Sequence, residues 1–199
     1  MTFTRKLLAS LLVCGLAAVA VAAATWSSFS ATTANPSNSL SAGTVAISDN
    51  DAGATLPASG MAPGSSTSGC IQVTYTGSLP AAVHQYASTT GSLARYLNLT
   101  ITRGTQSSPS FPSCTGFTAD STNYVGAGAG VVYSGTLSAF ASTYTDYASG
   151  LVDAPGSAQT WNTNSTHVYK FTITLPSGAP SAAQGLSSSA TFAWEAQNQ

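Results

Sequence analysis

Apolar and polar residues alternate along several segments of this chain, and this period of two constrains the fold more than any other feature. The clearest example is 166–175. Because successive side chains of a β-strand point to opposite faces of the sheet, such a segment buries one face and exposes the other. One face carries His167, Tyr169, Phe171, Ile173 and Leu175, and the opposite face carries Lys170, Thr172 and Thr174. The segment is therefore predicted to be a half-buried strand.

Three further segments alternate in the same way and are predicted to be strands: 69–76, 93–102 and 188–196. A strand is also predicted at 40–48. Arg95 interrupts the apolar face of its strand, so we expect it near the exposed end. Clusters of glycine and proline predict turns or loops at 57–64, 77–80, 104–112, 126–130 and 176–185.

One segment, 136–148, departs from this pattern. Leu137, Phe140, Ala141 and Tyr144 lie at helical spacing, whereas the threonine and tyrosine content favours a strand. We expect one short helix there. Several short antiparallel strands with long connections predict an all-β fold, a jelly-roll-like two-sheet antiparallel sandwich.

The amino-terminal residues have the layout of an export signal. Arg5 and Lys6 precede an uncharged, small-apolar run of 18 residues, Leu7–Ala24. A basic start, an apolar centre and small residues at the cleavage zone are typical of a secretory signal peptide. Cleavage after Ala24 and cleavage after Ser27 both fit, and a retained membrane anchor is the alternative. We expect the mature protein to be secreted, in the extracellular matrix or at the cell surface.

The cysteine count agrees with export. Cys14 lies within the leader, which leaves Cys70 and Cys114 as an even pair in an oxidising compartment. A disulfide between them is expected, and two free thiols are the alternative. The bond would close a loop of 44 residues and stabilise the fold by about 4 kcal/mol on the chain-entropy model.

Charge is scarce in this chain and argues against one class of partner. Only 6% of the residues are charged, against about 25% in typical soluble proteins. Without Arg5 and Lys6, three basic and six acidic residues remain, for a net charge of −3. No basic patch exists in the sequence, so we predict no nucleic-acid partner. Few repelling charges also make association between copies easier.

The sequence contains no convincing catalytic motif. Its histidines are His84 and His167, and its only glutamate is Glu195, so a His-Glu-x-x-His pattern is missing. A catalytic zinc needs about three converging protein ligands, here both histidines with Asp146 or Asp153, and the spacing does not favour that set. A Gly-x-Ser-x-Gly elbow and a phosphate-binding glycine loop are missing too. We predict no catalytic residue, metal ligand or cofactor, and hence no enzyme.

An acidic cluster, Asp49-Asn50-Asp51, follows the first predicted strand. Calcium favours such oxygen ligands, but the later bidentate glutamate of an EF-hand is missing. The alternative is a turn in which these side chains bond to nearby backbone. We favour the turn.

Three motifs resemble the TasA/camelysin family of exported β proteins. The first is Thr25-Trp26-x-x-Phe29 followed, after a polar spacer, by Ala42-Gly43-Thr44-Val45-x-Ile47. The second is Met61-Ala62-Pro63-Gly64 with the run from Gly69 to Leu79. The third is Gln184-Gly185-Leu186 with Ala190-Thr191-Phe192-Ala193-Trp194-Glu195. The resemblance therefore reaches both ends of the chain.

The resemblance implies processing by a SipW-type signal peptidase, with cleavage between Ser27 and Ser28. It also implies a jelly roll and assembly by donor-strand exchange. The expected organisation is a signal peptide at 1–27, a donor-strand or linker segment at 28–38, and a β-sandwich domain at 39–199. Camelysins are described as metallopeptidases, an activity that the residues of this chain do not favour.

The leading functional hypothesis is a subunit of an extracellular filament or biofilm matrix fibre, with copies of itself as partner. Phe29, Ala31 and Thr33 alternate as strand residues do, and such a segment can extend a neighbour's sheet with Phe29 as anchor. A flexible tail, or a segment folded onto its own sheet, is the alternative. A competing hypothesis is an adhesive module that binds cell-wall or matrix glycans through Trp161, Trp194 and tyrosines. A camelysin-like metallopeptidase is the third.

Overall fold

Nine strands form two antiparallel sheets in the computed structural model, which describes residues 43–51, 61–156 and 160–199. In chain order they are β1 (Ile47–Asp49), β2 (Ser66–Tyr75), β3 (Ala81–Thr90), β4 (Asn98–Gln106), β5 (Phe117–Ala119), β6 (Val131–Thr136), β7 (Leu151–Val152), β8 (Thr166–Thr174) and β9 (Ser189–Asn198). One α-helix, α1 (Leu137–Thr143), and short 3-10 helices at Leu93–Arg95 and Ser181–Ala183 complete the described elements. The prediction of an all-β, two-sheet antiparallel sandwich with one short helix is confirmed.

The larger sheet has the order β1-β2-β8-β4, with β5 and β6 sharing the far side of β4. Its register aligns the apolar positions of neighbouring strands, for example Leu99 with Ile173 and Ile101 with Phe171. These side chains are buried, as the alternation of 166–175 predicts. The core thus lies on the inner face of this sheet, while threonine and serine occupy much of the outer face.

The smaller sheet has the order β7-β3-β9 and covers that core from the other side. Phe192 of β9 packs against Phe171 with ring centroids 4.5 Å apart, and Trp194 lies 6.0 Å from the same ring. Strand β3 was not predicted from alternation. Its inner positions carry only small apolar residues and Gln85, so the hydrophobic pattern of this strand is weak.

The prediction of a strand at 93–102 is wrong at its start, and the observed strand extends beyond the predicted end. Leu93–Arg95 forms a 3-10 helix, and the exposed Arg95 lies there, outside the strand. Strand β4 then continues to Gln106, past the expected loop start at Gly104. A Cβ at Gly104 would overlap the carbonyl oxygen of Thr118, so glycine permits the close approach of β5.

The amino-terminal strand is also shorter than expected. Of the predicted segment 40–48, the described part is strand only from Ile47, and residues 40–42 lie outside the described part of the chain. Strand β1 pairs with the end of β2 over three residues, from Ile47 opposite Tyr75 to Asp49 opposite Val73.

Helix α1 confirms the helix predicted near 136–148, although it ends at Thr143. Thr136 caps its first turn, accepting a hydrogen bond from the Ala139 amide at 3.1 Å. Leu137 and Phe140 are buried one turn apart. One apolar stripe therefore holds this short helix against the core.

The disulfide between Cys70 and Cys114 is present, with the two Cα atoms 5.1 Å apart. Cys70 lies on β2 with 1% of its surface exposed, and its amide donates to the Pro112 carbonyl at 3.1 Å. The bond thus fixes the loop between β4 and β5 against the larger sheet.

Two buried polar groups have no hydrogen-bond partner among the described residues: the Gln85 side-chain amide and Trp194 Nε1. They face each other in register across β3 and β9. Only 3% of Gln85 is exposed, and the gap that it lines with Trp194 has no room for a water molecule. An unpaired amide of this kind costs stability.

Replacing both cysteines by serine is expected to lower the free energy of unfolding by about 4 kcal/mol, because the 44-residue loop is no longer closed in the unfolded chain. Denaturant unfolding of the oxidised wild type and of Cys70→Ser/Cys114→Ser measures the difference. Equal stability of the two proteins would contradict this expectation.

The Gln85→Met variant is expected to be more stable than the wild type by about 1–3 kcal/mol, because it removes a buried, unpaired amide at similar volume. Thermal and urea unfolding measure the change. Gln197→Met, at an exposed position of β9, is the matched control and is expected to change stability by less than about 0.5 kcal/mol. A destabilised Gln85→Met protein would show that the amide is satisfied in solution.

Candidate functional site

Arg103 of β4 places a charge inside the sandwich, with 6% of its surface exposed. Its Nε donates to Asp153 Oδ1 at 2.9 Å, and its Nη1 donates to Asp120 and to the Tyr124 hydroxyl, the latter at 3.0 Å. Its Nη2 lies 2.9 Å from His167 Nε2. A buried charge is tolerated when it is paired and hydrogen-bonded, and this one has both kinds of partner.

Asp153 is the most enclosed member of this cluster, with 1% of its side chain exposed. Besides the guanidinium of Arg103, it accepts hydrogen bonds from Trp161 Nε1, at 3.1 Å, and from the Tyr169 hydroxyl. Burial raises the pKa of Tyr169 well above its ordinary value, and the Asp153 carboxylate raises it further. The tyrosine therefore stays a neutral donor.

The charge of Arg103 is stable despite its burial. Burial lowers the pKa of its guanidinium, but the carboxylates of Asp153 and Asp120 outweigh that effect and raise the pKa above its ordinary value. One cation between two anions makes the group a structural ion cluster. It offers no free nucleophile or base for catalysis.

The cluster fixes the protonation state of His167. Since a guanidinium only donates hydrogen bonds, Nε2 of His167 must accept, and the ring is neutral with its proton on Nδ1. Burial lowers the pKa of His167; Asp153 acts to raise it and Arg103 to lower it. The edge of the ring also meets Trp161, with centroids 4.6 Å apart.

The other two candidate zinc ligands, His84 and Asp146, bond to other residues of the chain. His84 stacks on Tyr147 at 4.2 Å, and its Nδ1 lies 2.7 Å from the Tyr147 carbonyl oxygen. Asp146 closes a turn by accepting from the Ser149 amide at 2.8 Å. Within 43–51, 61–156 and 160–199, no three histidine, cysteine or acidic residues are grouped to hold a metal ion.

The acidic cluster after β1 forms a turn, the favoured alternative. Asp49 Oδ1 accepts a hydrogen bond from the Asp51 amide at 3.2 Å. Asn50 Oδ1 accepts from the Gln72 amide at 2.8 Å, so the turn is attached to β2. The side-chain oxygens of Asp49 and Asn50 therefore accept hydrogen bonds from backbone amides.

The structure buries one of the two tryptophans that the glycan hypothesis names and leaves the other partly exposed. Trp161 is 1% exposed and is bonded to Asp153 in the core. Trp194 is only partly exposed and packs against Tyr169 and Phe171. Trp161 therefore offers no free face for stacking on a sugar.

A groove of about 450 Å³ opens between β6 of the larger sheet and β7 of the smaller one. Its surface is about equally polar and apolar and is formed by Val125, Val132, Tyr133, Ser134, Tyr144, Leu151 and Pro155, among others. Val132 and Leu151 are buried, whereas 45% of Val125 is exposed at the rim. The groove is thus an opening into the seam between the two sheets.

The Arg103 cluster holds both walls of this groove. Asp120 and Tyr124 attach the segment that carries Val125, and Asp153 attaches the segment that leads to Pro155. The ion cluster therefore positions the groove from inside the sandwich. The sequence contains one signal for the ion cluster. Arg103 follows Ile101 by two residues, so strand periodicity places both side chains on the inner face of the sheet.

The strand beside the groove has an unpaired side. Among the described strands, β6 pairs only with β4, and β9 pairs only with β3. Strand β6 contains neither a charged residue nor proline, the devices that commonly protect a sheet edge. A free strand edge next to an uncharged groove is suited to binding an extended peptide.

The sequence-predicted assembly and cleavage residues Ser27, Ser28, Phe29, Ala31 and Thr33 lie outside the described residues. Their roles stay predictions. In the described part of the chain no helix is long and apolar enough to cross a membrane.

Comparison with known proteins supplies no family. A scan against protein-family models and a search of curated proteins both give no match for this chain. The resemblance to the TasA/camelysin family therefore stays a prediction from the motifs quoted above.

Protonation of His167 is expected to destabilise the fold, because it places a second positive charge and a second donor against Arg103. The folded protein holds the pKa of His167 below its ordinary value of 6.5, so the unfolded chain takes up the proton first as pH falls. Stability is expected to be full above about pH 7 and to decrease as the pH falls below about 6.5, the ordinary pKa of histidine.

Urea unfolding across that range measures the effect. His167→Gln keeps an acceptor for Arg103 without a titrating ring, so its stability should change less with pH. His84→Gln is the matched control and should keep the wild-type slope. Identical slopes for His167→Gln and the wild type would refute the assignment.

Proposed function

We propose that this protein is a secreted structural subunit of an extracellular or cell-surface filament or matrix fibre. Copies join when the amino-terminal segment of one subunit adds as a strand to the sheet of the next. The observation that carries the proposal is the unpaired side of β6, among the described strands, beside an uncharged groove. An extended segment gains main-chain hydrogen bonds at such an edge and specificity from side chains in a pocket.

The positions of the sheet edges support assembly in one direction. The described chain enters the larger sheet through β1, at one edge, whereas β6 lies at the opposite edge. A donor segment at 28–38 and an acceptor at β6 are different parts of the subunit. A contact between unlike surfaces is heterologous, and when its rotation does not close a ring it yields an open-ended filament.

Composition supports the same proposal. With a net charge of −3 after removal of the leader, neighbouring subunits repel each other weakly. The Cys70–Cys114 disulfide is compatible with an oxidising, extracellular location. A β-sandwich that is cross-linked by a disulfide is a suitable subunit for a fibre that must persist outside the cell.

The mature chain starting at Ser28 is expected to form unbranched filaments visible by negative-stain electron microscopy. A variant starting at Leu40 lacks the alternating segment and is expected to stay monomeric in light scattering. Thermal unfolding of the shortened chain should show that its sandwich is intact. Filaments formed by the Leu40 variant would exclude the donor-strand proposal.

A further inference from the structure

We propose that the groove between β6 and β7 leads to a binding site for a small, neutral aromatic carboxamide, with the side chains of Gln85 and Trp194 as its hydrogen-bond partners. The site lies behind Leu151, whose side chain separates the groove from the buried amide of Gln85. This inference goes beyond the proposed function and does not depend on it.

Three side chains form a row on the inner face of the smaller sheet. Leu151 of β7 lies opposite Gln85 of β3, and Gln85 lies opposite Trp194 of β9. Residues directly opposite each other on neighbouring strands point to the same face, so the row leads from the edge of the sheet towards its other side. A molecule that passes Leu151 from the groove therefore meets the Gln85 amide first and Trp194 next.

The two polar side chains of this row have hydrogen-bonding capacity that no described residue uses. Both polar atoms of the Gln85 amide and Nε1 of Trp194 are buried and have no partner in the part of the chain that the structure describes. Asp153 lines the same gap, but it already accepts three hydrogen bonds within the ion cluster. Because unpaired buried polar groups cost stability, a ligand that pairs with them recovers that cost on binding.

The unpaired atoms define the chemistry of the ligand. Gln85 Nε2 and Trp194 Nε1 donate hydrogen bonds, whereas Gln85 Oε1 accepts them. A carboxamide offers a carbonyl oxygen to the donors and an N–H group to the acceptor. A carboxylate has no proton to donate, and it would approach the Asp153 carboxylate, which lines the same gap. The site therefore selects a neutral amide over an acid of the same shape.

Leu151 controls the passage from the groove to this site. Its side chain lines both the groove and the gap beside Gln85. The gap has no room for a water molecule, whereas the groove has a volume of about 450 Å³, so the leucine side chain has space to turn outward. Strand β7, which carries Leu151, shares only two register pairs with β3. A short strand of this kind can shift at low cost.

The groove accommodates the body of the ligand. Its volume lies within the range of about 300–1,000 Å³ that is usual for ligand pockets. The described residues that line it carry no charge and include Tyr133 and Tyr144. An aromatic ring attached to the carboxamide can pack against these tyrosines in the offset or edge-on geometry that aromatic rings prefer.

The test compares three probes of similar shape: benzamide, acetophenone and benzoate. Acetophenone has a methyl group in place of the amino group of benzamide, and benzoate is an anion. Equilibrium dialysis against the mature chain starting at Ser28 measures binding whether or not the chain is assembled. Benzamide is expected to bind saturably at a single site. Acetophenone leaves Gln85 Oε1 unpaired and benzoate adds a charge, so both are expected to bind at least about tenfold more weakly.

Three variants locate the site. Gln85→Met keeps the volume of the side chain but removes its amide, so benzamide binding should weaken at least about tenfold. Gln197→Met, at an exposed position of β9, is the matched control and should bind benzamide as the wild type does. Leu151→Val shortens the side chain that closes the passage and should strengthen binding. Melting temperatures of the variants check that each sandwich is folded.

The outcomes are distinct from those that test the proposed function. Absence of saturable benzamide binding overturns the inference, and so does binding that Gln85→Met leaves unchanged, because the probe then lies elsewhere. Equal binding of the three probes would show that the amide group is not recognised. Binding by Leu151→Val that is no stronger than that of the wild type would contradict the role of Leu151. Filament formation by the wild type is measured separately, by electron microscopy, and none of these results decides it.

Discussion

The ion cluster around Arg103 is the interaction on which the rest of this structure depends. It joins β4 to the segments that carry Asp120 and Asp153, and it adds His167 and Tyr169 from β8. Removing one member would leave a charge buried without its partner, which costs far more than the net contribution of the pair. In a chain with so few charged residues, this concentration of them in the core is the main departure from an apolar sandwich interior.

The ion cluster also explains why the groove between β6 and β7 stays open. A groove at the surface tends to close where apolar side chains on its two walls can bury each other. Here the wall that carries Val125 and the wall that ends at Pro155 are fixed through carboxylates to one rigid guanidinium. The planar, multiply bonded arginine holds the spacing of the walls, which a flexible lysine would not do. Stability of the core and the shape of the groove thus depend on the same contacts.

The sequence predicts strands well where large apolar residues alternate with threonine, as in β8 and β2, and it predicts the Cys70–Cys114 bond from the cysteine count. It fails at β3, where Gln85 occupies an inner position, and at Leu93–Arg95, where a helical turn precedes the strand. The groove could not be found from sequence because its residues come from distant segments that topology alone brings together. The inward position of Arg103 could be predicted from sequence, because strand periodicity places it on the inner face. Its partners Asp120 and Asp153 could not be predicted, because they follow no local pattern.

The short pairing of β1 has a mechanical consequence for a fibre built from such units. In a fibre assembled as proposed, tension would enter each subunit through the segment that contains β1. The ladder between β2 and β8 has nine register pairs and that between β4 and β8 has seven. Strand β1 shares three register pairs with β2, and backbone hydrogen bonds of Thr44, Ala46 and Asn50 extend this attachment on both sides. The load would therefore fall first on the attachment of residues 44–50, outside the loop that the disulfide closes.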